Sequence, residues 1–293
     1  MSSINTNMGS INAQSNLAAT QNAVQKSLSK LSSGYRITKA ADDAAGLAIS
    51  EKMRGQISGL KQASSNAQSA ISLIQTAEGG LSETHSILQR MRELAVQSAS
   101  DTNTADDRGK IQSEVDQLAQ EITRISNTTQ FNSKNLLGGN LSDTYQIGAN
   151  AGQKITLSGI AMDAFSLGVG GASGAAATFT TSGVMTASGV AASGVDVSTQ
   201  VAASTAITTI DTAINNVSTE RAKFGAMQNR LEHTINNLGT SAQNLTAAES
   251  NIRDVDMAAE MSNFTKNQVL AQAGVAMLAQ ANQSPQTILK LLQ

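Results

Sequence analysis

Residues 207–259 read ITTIDTAINNVSTERAKFGAMQNRLEHTINNLGTSAQNLTAAESNIRDVDMAA. Alternating steps of three and four from Ile207 meet Ile210, Ile214, Val217, Arg221, Phe224, Gln228, Leu231, Ile235, Leu238, Ala242, Leu245, Glu249, Ile252, Asp256 and Ala259, an apolar seam with a few polar breaks. The residues between are mostly Asn, Thr, Ser, Glu, Arg and Gln. A seam that returns every ~3.5 residues keeps facing one partner only if the helix supercoils against it. The stretch predicts one long helix, running to Ala259, that needs other helices.

Downstream the stepping continues through Met257, Met261, Phe264, Gln268, Ala271, Val275 and Leu278; Pro285 interrupts it, and Ile288, Leu289, Leu291 and Leu292 finish it. Beyond Glu260 the only charges are Lys266 and Lys290. The opposite end is alike. Ile4, Met8 and Ile11, then Leu17, Val24, Leu28, Leu31 and Tyr35, form two helix-period runs whose phases do not quite join, and the only charged side chains before Arg36 are Lys26 and Lys30. A free surface helix carries more charge on its wet face. Two readings stay open: a Ser/Asn-rich tail without fixed structure in the lone chain, or a helix buried in an assembly. In an assembly charge is costly to desolvate, and small amide and hydroxyl side chains hydrogen-bond instead. The simplest account of two such ends is that they pair with each other.

Between the ends, Gly34 reads as a helix stop and Asp42-Asp43 as the cap of a second helix. Its seam runs through Met53, Ile57, Leu60, Ser64, Ala67, Ile71, Ile74, Glu78, Leu81, His85, Leu88, Arg92 and Ala95, in phase across Gly79-Gly80. It predicts one helix of about 55 residues, ~80 Å long, ending near Ala99. After a polar turn at residues 101–108, a third helix carries Ile111, Val115, Leu118, Ile122 and Ile125 and ends near Thr129. With the Ile207 helix these make a three-stranded, antiparallel, coiled-coil-like rod. Asn135 to Asn140 closes the helical region; residues 144–147 and 154–157 then read as a β-hairpin. Residues 167–206 are almost wholly Gly, Ala, Ser, Thr and Val. They read either as a small lobe of weak strands, which is preferred, or as a surface loop. Gly168, Gly170 and Gly174 do not make a phosphate loop, because no Lys follows in the right place.

Composition narrows the function. The chain of 293 residues carries 20 basic and 22 acidic residues, a formal charge of −2, and shows no basic stripe, which argues against nucleic acid or an anionic membrane as partner. Only 2% of residues are aromatic, so packing relies on Ala, Leu, Ile and Val, as paired helices do. The absence of Cys excludes disulfides, thiolate metal sites and Cys nucleophiles. No leader-like block and no run of ~18 apolar residues is visible, so if the protein leaves the cell, the expected route needs no cleaved leader. His85 and His233 have no metal-binding spacing, no nucleophile elbow occurs, and the pairs Asp42-Asp43 and Asp106-Asp107 each stand before a helix as caps. Catalytic residues, cofactor and metal are therefore expected to be none.

Several longer stretches carry a resemblance: residues 31–55 (LSSGYRITKAADDAAGLAISEKMRG), 74–81 (IQTAEGGL), 88–100 (LQRMRELAVQSAS), 131–137 (FNSKNLL), 248–261 (AESNIRDVDMAAEM) and 283–293 (QSPQTILKLLQ). In this order they resemble the bacterial flagellins, over roughly residues 1–165 and 201–293. The resemblance implies a structural protein of the extracellular flagellar filament, exported by the type III apparatus. It implies an inner domain of paired terminal helices (1–43 and 257–293), an outer helical domain with a β-hairpin (44–166 and 201–256) and a short surface insert (167–200). The assembly residues on the terminal helices are then Ile4, Met8, Ile11, Leu17, Val24, Leu28, Leu31, Met257, Met261, Phe264, Val275, Leu278, Leu289 and Leu292. Implied partners are further copies of the chain, an export chaperone at about Met257 to Gln293, and hook-junction and cap proteins. A host innate immune receptor is implied too, through a motif matching Gln89, Arg90, Leu94, Ile111 and Glu114. The chain ends Leu-Leu-Gln where many relatives end Leu-Leu-Arg. The alternative within the same secreted group is a hook-filament junction protein.

Overall fold

A computed structural model of the chain describes residues 7–139, 141–171 and 193–291. Ile4, Leu292 and residues 172–192 of the insert lie outside the described residues. The fold is mainly α, with helices α1 (Met8–Ser33), α2 (Ala44–Ser98), α3 (Ala105–Thr128), α4 (Gln200–Arg253) and α5 (Met257–Leu291). Between α3 and α4 the described residues form three short antiparallel pairs: β1 (Gln130–Phe131) with β2 (Lys134–Asn135), β3 (Ser142–Gln146) with β4 (Lys154–Ser158), and β5 (Gly170–Gly171) with β6 (Ser193–Gly194). The chain divides into two compact units, one of residues Met1–Ile57 and Ala242–Gln293, the other of Ser58–Ser241, so α2 and α4 each contribute to both.

In the Ser58–Ser241 unit, α3 and α4 run antiparallel to α2. Ion pairs mark the register: Arg90 with Glu114 on α3, and Arg92 with Asp211 and Glu78 with Arg221 on α4. Leu81, Leu88 and Met91 of α2, Val115 and Ile122 of α3, and Ile210, Val217, Phe224 and Leu231 of α4 form one buried cluster. The expected seam is half right. One row is buried as expected, through Ala67, Ile74, Leu81, Leu88 and Ala95 on α2 and Ile210, Val217, Phe224, Leu231 and Leu238 on α4. The second row lies one residue earlier than expected. On α2 it is Ala63, Ala70, Ala77, Thr84, Met91 and Ser98 instead of Ser64, Ile71, Glu78, His85 and Arg92; on α4 it is Ala206, Ala213 and Glu220 instead of Ile207, Ile214 and Arg221. Small side chains let helix backbones approach, and the bulkier neighbours then flank the contact. On α3, Ala119 is buried and Leu118 only half-buried for the same reason.

Helix ends follow local chemistry. Asp43 Oδ1 accepts the Gly46 N–H at 2.8 Å, and α2 then runs 55 residues, the expected length. α3 starts earlier than expected: Thr104 is its N-cap and Asp107 its third residue, each side chain bonding the other's backbone in a capping box. The long helix α4 stops at Arg253, short of the expected Ala259. Asp254 bridges to Tyr35 across the chain, and Asp256 Oδ1 starts α5 by accepting the Ala258 and Ala259 N–H groups at 2.9 and 3.1 Å. Conversely, α5 continues through Pro285, where an interruption was expected; the proline removes one ladder bond, and the turns on both sides carry the helix across. α1 is one helix rather than two runs out of phase, and Gly34, at φ 73°, ends it in the left-handed conformation as expected.

The connection from α3 to α4 is held by a few polar side chains. Asn135 Nδ2 donates to the carbonyls of Ser126 and Asn127 at 3.0 Å each, and its Oδ1 accepts from Leu137 and Gly138 at 2.9 and 2.7 Å. The β3–β4 hairpin pairs Ser142 with Ser158 through Gln146 with Lys154, where alternation placed it, with Ile155 and Leu157 turned inward. Gln112 and Asp116 of α3 grip the returning chain: Asp116 Oδ1 accepts from Gly194 N–H and Gln112 Oε1 from Val197 N–H, both at 2.7 Å.

Candidate functional site

The unit that holds both chain ends is built on α1 and α5, which pack antiparallel. At one end Asn7 Nδ2 donates to the Ala281 carbonyl and Ser10 Oγ to Asn282 Oδ1, both at 2.8 Å. In the middle Leu17 packs on Gly274, and at the other end Lys30 lies 3.9 Å from Glu260. The pairing expected of the two charge-poor ends is therefore present. The shielded residues on α1 step through Ser10, Ala13, Leu17, Thr20, Val24, Ser27 and Leu31, and on α5 through Phe264, Asn267, Ala271, Gly274, Leu278 and Ala281. Both rows keep the three-and-four stepping, so each helix spends one stripe on the other.

Outside that seam other apolar residues stay open. Met8, Ile11 and Leu28 on α1, and Met257, Met261, Val269, Leu270, Val275 and Met277 on α5, are between 48% and 66% exposed. So many half-exposed large apolar side chains on two charge-poor helices mark surface that is covered by a partner rather than finished. A groove of about 410 Å³ runs between the helices, floored by Leu17 and Gly274 and rimmed by Gly9, Thr20, Leu270 and Met277.

The expected assembly residues thus separate into two sets by exposure. Leu17, Val24, Leu31, Phe264 and Leu278 are half-buried in the α1–α5 seam; Met8, Ile11, Leu28, Met257, Met261 and Val275 face outward. Leu289 lies within α5, and Ile4 and Leu292 are outside the described residues. Val269, Leu270 and Met277 belong to the open face but not to the expected set. They fall off the seam, so stepping along a single seam does not find them.

Where α1 meets α2 and α4 meets α5, the two helix breaks are tied together. Arg36 N–H donates to the Arg253 carbonyl at 2.7 Å and Val255 N–H to the Gly34 carbonyl at 3.1 Å. The Arg253 guanidinium lies 4.6 Å above the centre of the Tyr35 ring and donates to Glu51 at 2.8 Å. That bond, helped by nearby Arg54, holds the Glu51 carboxyl below the usual carboxylate range.

In the other unit the receptor-type motif is partly gathered. Arg90 Nε and Nη2 donate to Glu114 Oε1 at 3.0 and 2.9 Å, and the bonds to Glu114 and Glu93 raise the Arg90 pKa. Gln89 pairs with His85 Nε2 at 3.0 Å. Leu94 and Ile111 are not at this surface; both sit in the buried cluster. Among the described residues no three His, Cys, Asp or Glu converge as a metal site, and no helix is long and apolar enough to cross a membrane.

Comparison with known proteins agrees with this geometry. Residues 4–142 match the bacterial flagellin N-terminal helical region, and residues 207–292 the bacterial flagellin C-terminal helical region. The chain is 53% identical over 304 residues to a flagellin of Bacillus subtilis (strain 168), covering 99% of each. It is 50% identical over 291 residues to a flagellin of Halalkalibacterium halodurans, again covering 99% of each. A solved structure of a putative flagellar hook-associated protein from Vibrio parahaemolyticus is similar in fold alone: 14% identity, TM-score 0.54, covering 73% of this chain and 100% of that chain. The chain belongs to the bacterial flagellins, the structural subunits of the flagellar filament.

Proposed function

We propose that the exposed apolar face of the α1–α5 pair, outside the seam, is the surface through which this subunit polymerises. The observation that carries the reading is the set of nine half-exposed aliphatic and Met side chains on two helices that have already spent one stripe on each other. Among the described residues nothing covers that face. Neighbouring copies supply the missing apolar surface, and the ordering entropy of the two terminal helices is offset at the moment of addition. No chemical step is needed, so the subunit is structural and works outside the cell as part of the filament.

On this reading residues 1–43 and 257–293 form the inner domain, residues 44–166 and 201–256 the outer one, and residues 167–200 a short surface insert. The exposed apolar face of α5 is also the segment an export chaperone covers before assembly, which keeps it from associating early. Hook-junction and cap proteins meet the same terminal helices at the two ends of the filament. The exposed Arg90–Glu114 pair with Gln89 is the receptor contact, and Leu94 and Ile111 act by holding α2 against α3 beneath it.

Seeded growth followed by electron microscopy tests the main claim, with limited proteolysis of soluble and pelleted protein beside it. Long filaments with protected ends in the pellet are expected. Short, capped ends that never elongate would instead identify a junction protein, and ends equally protected before and after assembly would remove the mechanism.

A further inference from the structure

The α1–α5 seam is poor at fixing its own alignment. Ser10, Ala13 and Thr20 on α1 and Ala271, Gly274 and Ala281 on α5 are small and leave few large knobs to choose one register. A slide of seven residues would set Val24 where Leu17 now packs on Gly274, one aliphatic side chain for another. One alignment nevertheless runs the length of the pair, from Lys30 opposite Glu260, through Leu17 on Gly274, to Asn7 on Ala281.

The base of the pair supplies what the seam lacks. Gly34 to Arg36 runs antiparallel to Arg253 to Val255, with Tyr35 bridged to Asp254. α1 ends at Ser33 and α5 starts at Met257, so both helices leave from this short ladder. Because an α-helix rises the same amount per residue on each side, fixing the base fixes which residues meet all the way up. Arg253 locks the ladder sideways: its guanidinium stacks on Tyr35, bonds Glu51 of α2, and has a side chain only 13% exposed. Its Nε is buried with no acceptor among the described residues, a cost retained for what the rest of the group does.

We propose that the Tyr35–Arg253–Glu51 clasp is the positioning element that sets the register of α1 against α5, and hence presents the exposed apolar face in one alignment at every subunit addition. The inference deepens the polymerisation reading and rests on it for its consequence.

The chain has no Cys, so pairs can be introduced cleanly. A Cβ at Gly274 would lie 3.8 Å from Leu17 Cβ, within the range a disulfide spans. Leu17→Cys with Gly274→Cys therefore reports the alignment seen, while Leu17→Cys with Asn267→Cys, or with Ala281→Cys, reports a seven-residue slide either way. Full-length protein is oxidised in the soluble fraction and in the pellet after seeded growth, and the crosslinked monomer is read on non-reducing gels. With the clasp intact the first pair is expected to oxidise at least about tenfold more than the slid pairs. Arg253→Ala or Tyr35→Leu should cut that preference at least about fivefold; Arg253→Lys, which keeps the charge but not the flat stack, should restore part of it. Lys30→Ala, which removes the other ion pair, should leave it unchanged. A tenfold preference that survives Arg253→Ala in either fraction overturns the proposal, as does a parent with no preference. A chain that crosslinks in register yet never pellets would instead refute the polymerisation reading, with the clasp effect still measured in the soluble fraction.

Discussion

Replacing Val269 and Val275 by Ser tests the open apolar surface directly. Both lie on α5 and are 59% and 55% exposed, and neither lines the groove between α1 and α5, so the intramolecular seam is left alone. Fully burying a Val side chain is worth about 1.5 kcal/mol at the low end of the range. A little over half of each remains to be buried, so each site offers about 0.8 kcal/mol and the pair about 1.6 kcal/mol per added subunit. Val and Ser have similar helix propensities, so the helix itself changes little. At about 1.4 kcal/mol per decade, the critical concentration for seeded growth should rise about fifteenfold, and more if the hydroxyls are left without partners. The assay is the protein left in the supernatant after seeds have grown to completion and been pelleted, over a series of total concentrations. Gln272→Ser, at an exposed polar position of the same helix, is the control and should stay within twofold of the parent. A double variant whose critical concentration also stays within twofold would show that this face meets nothing in the filament.

Other consequences can be checked on the soluble protein. Asn135→Ala removes four hydrogen bonds at the exit of α3 and should cost about 2–4 kcal/mol, lowering Tm by about 5–15 °C in calorimetry. Gly79→Ala meets nothing within 4 Å and should gain up to about 1 kcal/mol of helix propensity; Gly80→Ala drives a Cβ to 2.9 Å from buried Leu137 and from Thr129, and should melt at least about 3 °C below it. Gln14 and Ser32 are both exposed; Gln14→Lys should fold normally yet block seeded growth by carrying a charge into the assembly, whereas Ser32→Lys, at the charged end of the pair, should do neither. Asp107 is held below the usual carboxylate range by bonds from Thr104, so the folded chain binds fewer protons there than the unfolded one. Its contribution is present above about pH 4 and lost as pH falls through the lowered value, and Asp107→Asn should flatten the acid limb of a stability-versus-pH curve. At the other extreme, burial first and then Asp143 push Tyr145 up to about 12; stability should fall as pH rises from about 10 toward 12, and Tyr145→Phe should remove that part of the decline.

Much of this architecture was legible because periodicity reports burial. The length of α2, the stop at Gly34, the β3–β4 hairpin and the pairing of the ends all follow from spacing and local turn chemistry. The misplaced second seam row has one cause: apolar stepping ranks large side chains, whereas close helix packing selects small ones. Ala63, Ala70 and Ala77 are invisible to a search for Leu and Ile, yet they occupy the contact, and Ile71 and Ile207 are pushed to its flank. The stop at Arg253 was hidden because Asp256 and Ala259 fit the seam by count, while the cause of the break is a long-range bridge to Tyr35. Glu220 is buried on the packing face of α4, beside a Lys223 that lies mostly in solvent, and no periodic reading of a carboxylate would place it there.

The distribution of charge within the terminal unit records how far each part is withdrawn from water. Antiparallel pairing puts Lys26 and Lys30 of α1 at the same end as Glu260 and Lys266 of α5, next to Arg36, Glu51 and Arg253 of the clasp. From there to Asn7 and Gln283 neither helix carries a charge. A pair of helices that stayed in solvent would have no reason for this asymmetry, because exposed Lys and Glu cost nothing there and favour solubility. Desolvating an unpaired charge is expensive, whereas an amide or hydroxyl finds a partner, as Ser10 does on Asn282. On the proposed reading, the uncharged length is the part that neighbouring subunits enclose most completely, while the clasp end, where Leu28, Met257 and Met261 stand among charges, keeps more contact with water. Amides, hydroxyls and half-exposed Met and Val share that length because two demands meet there: apolar area to drive association, and polar groups that tolerate burial without being ionised.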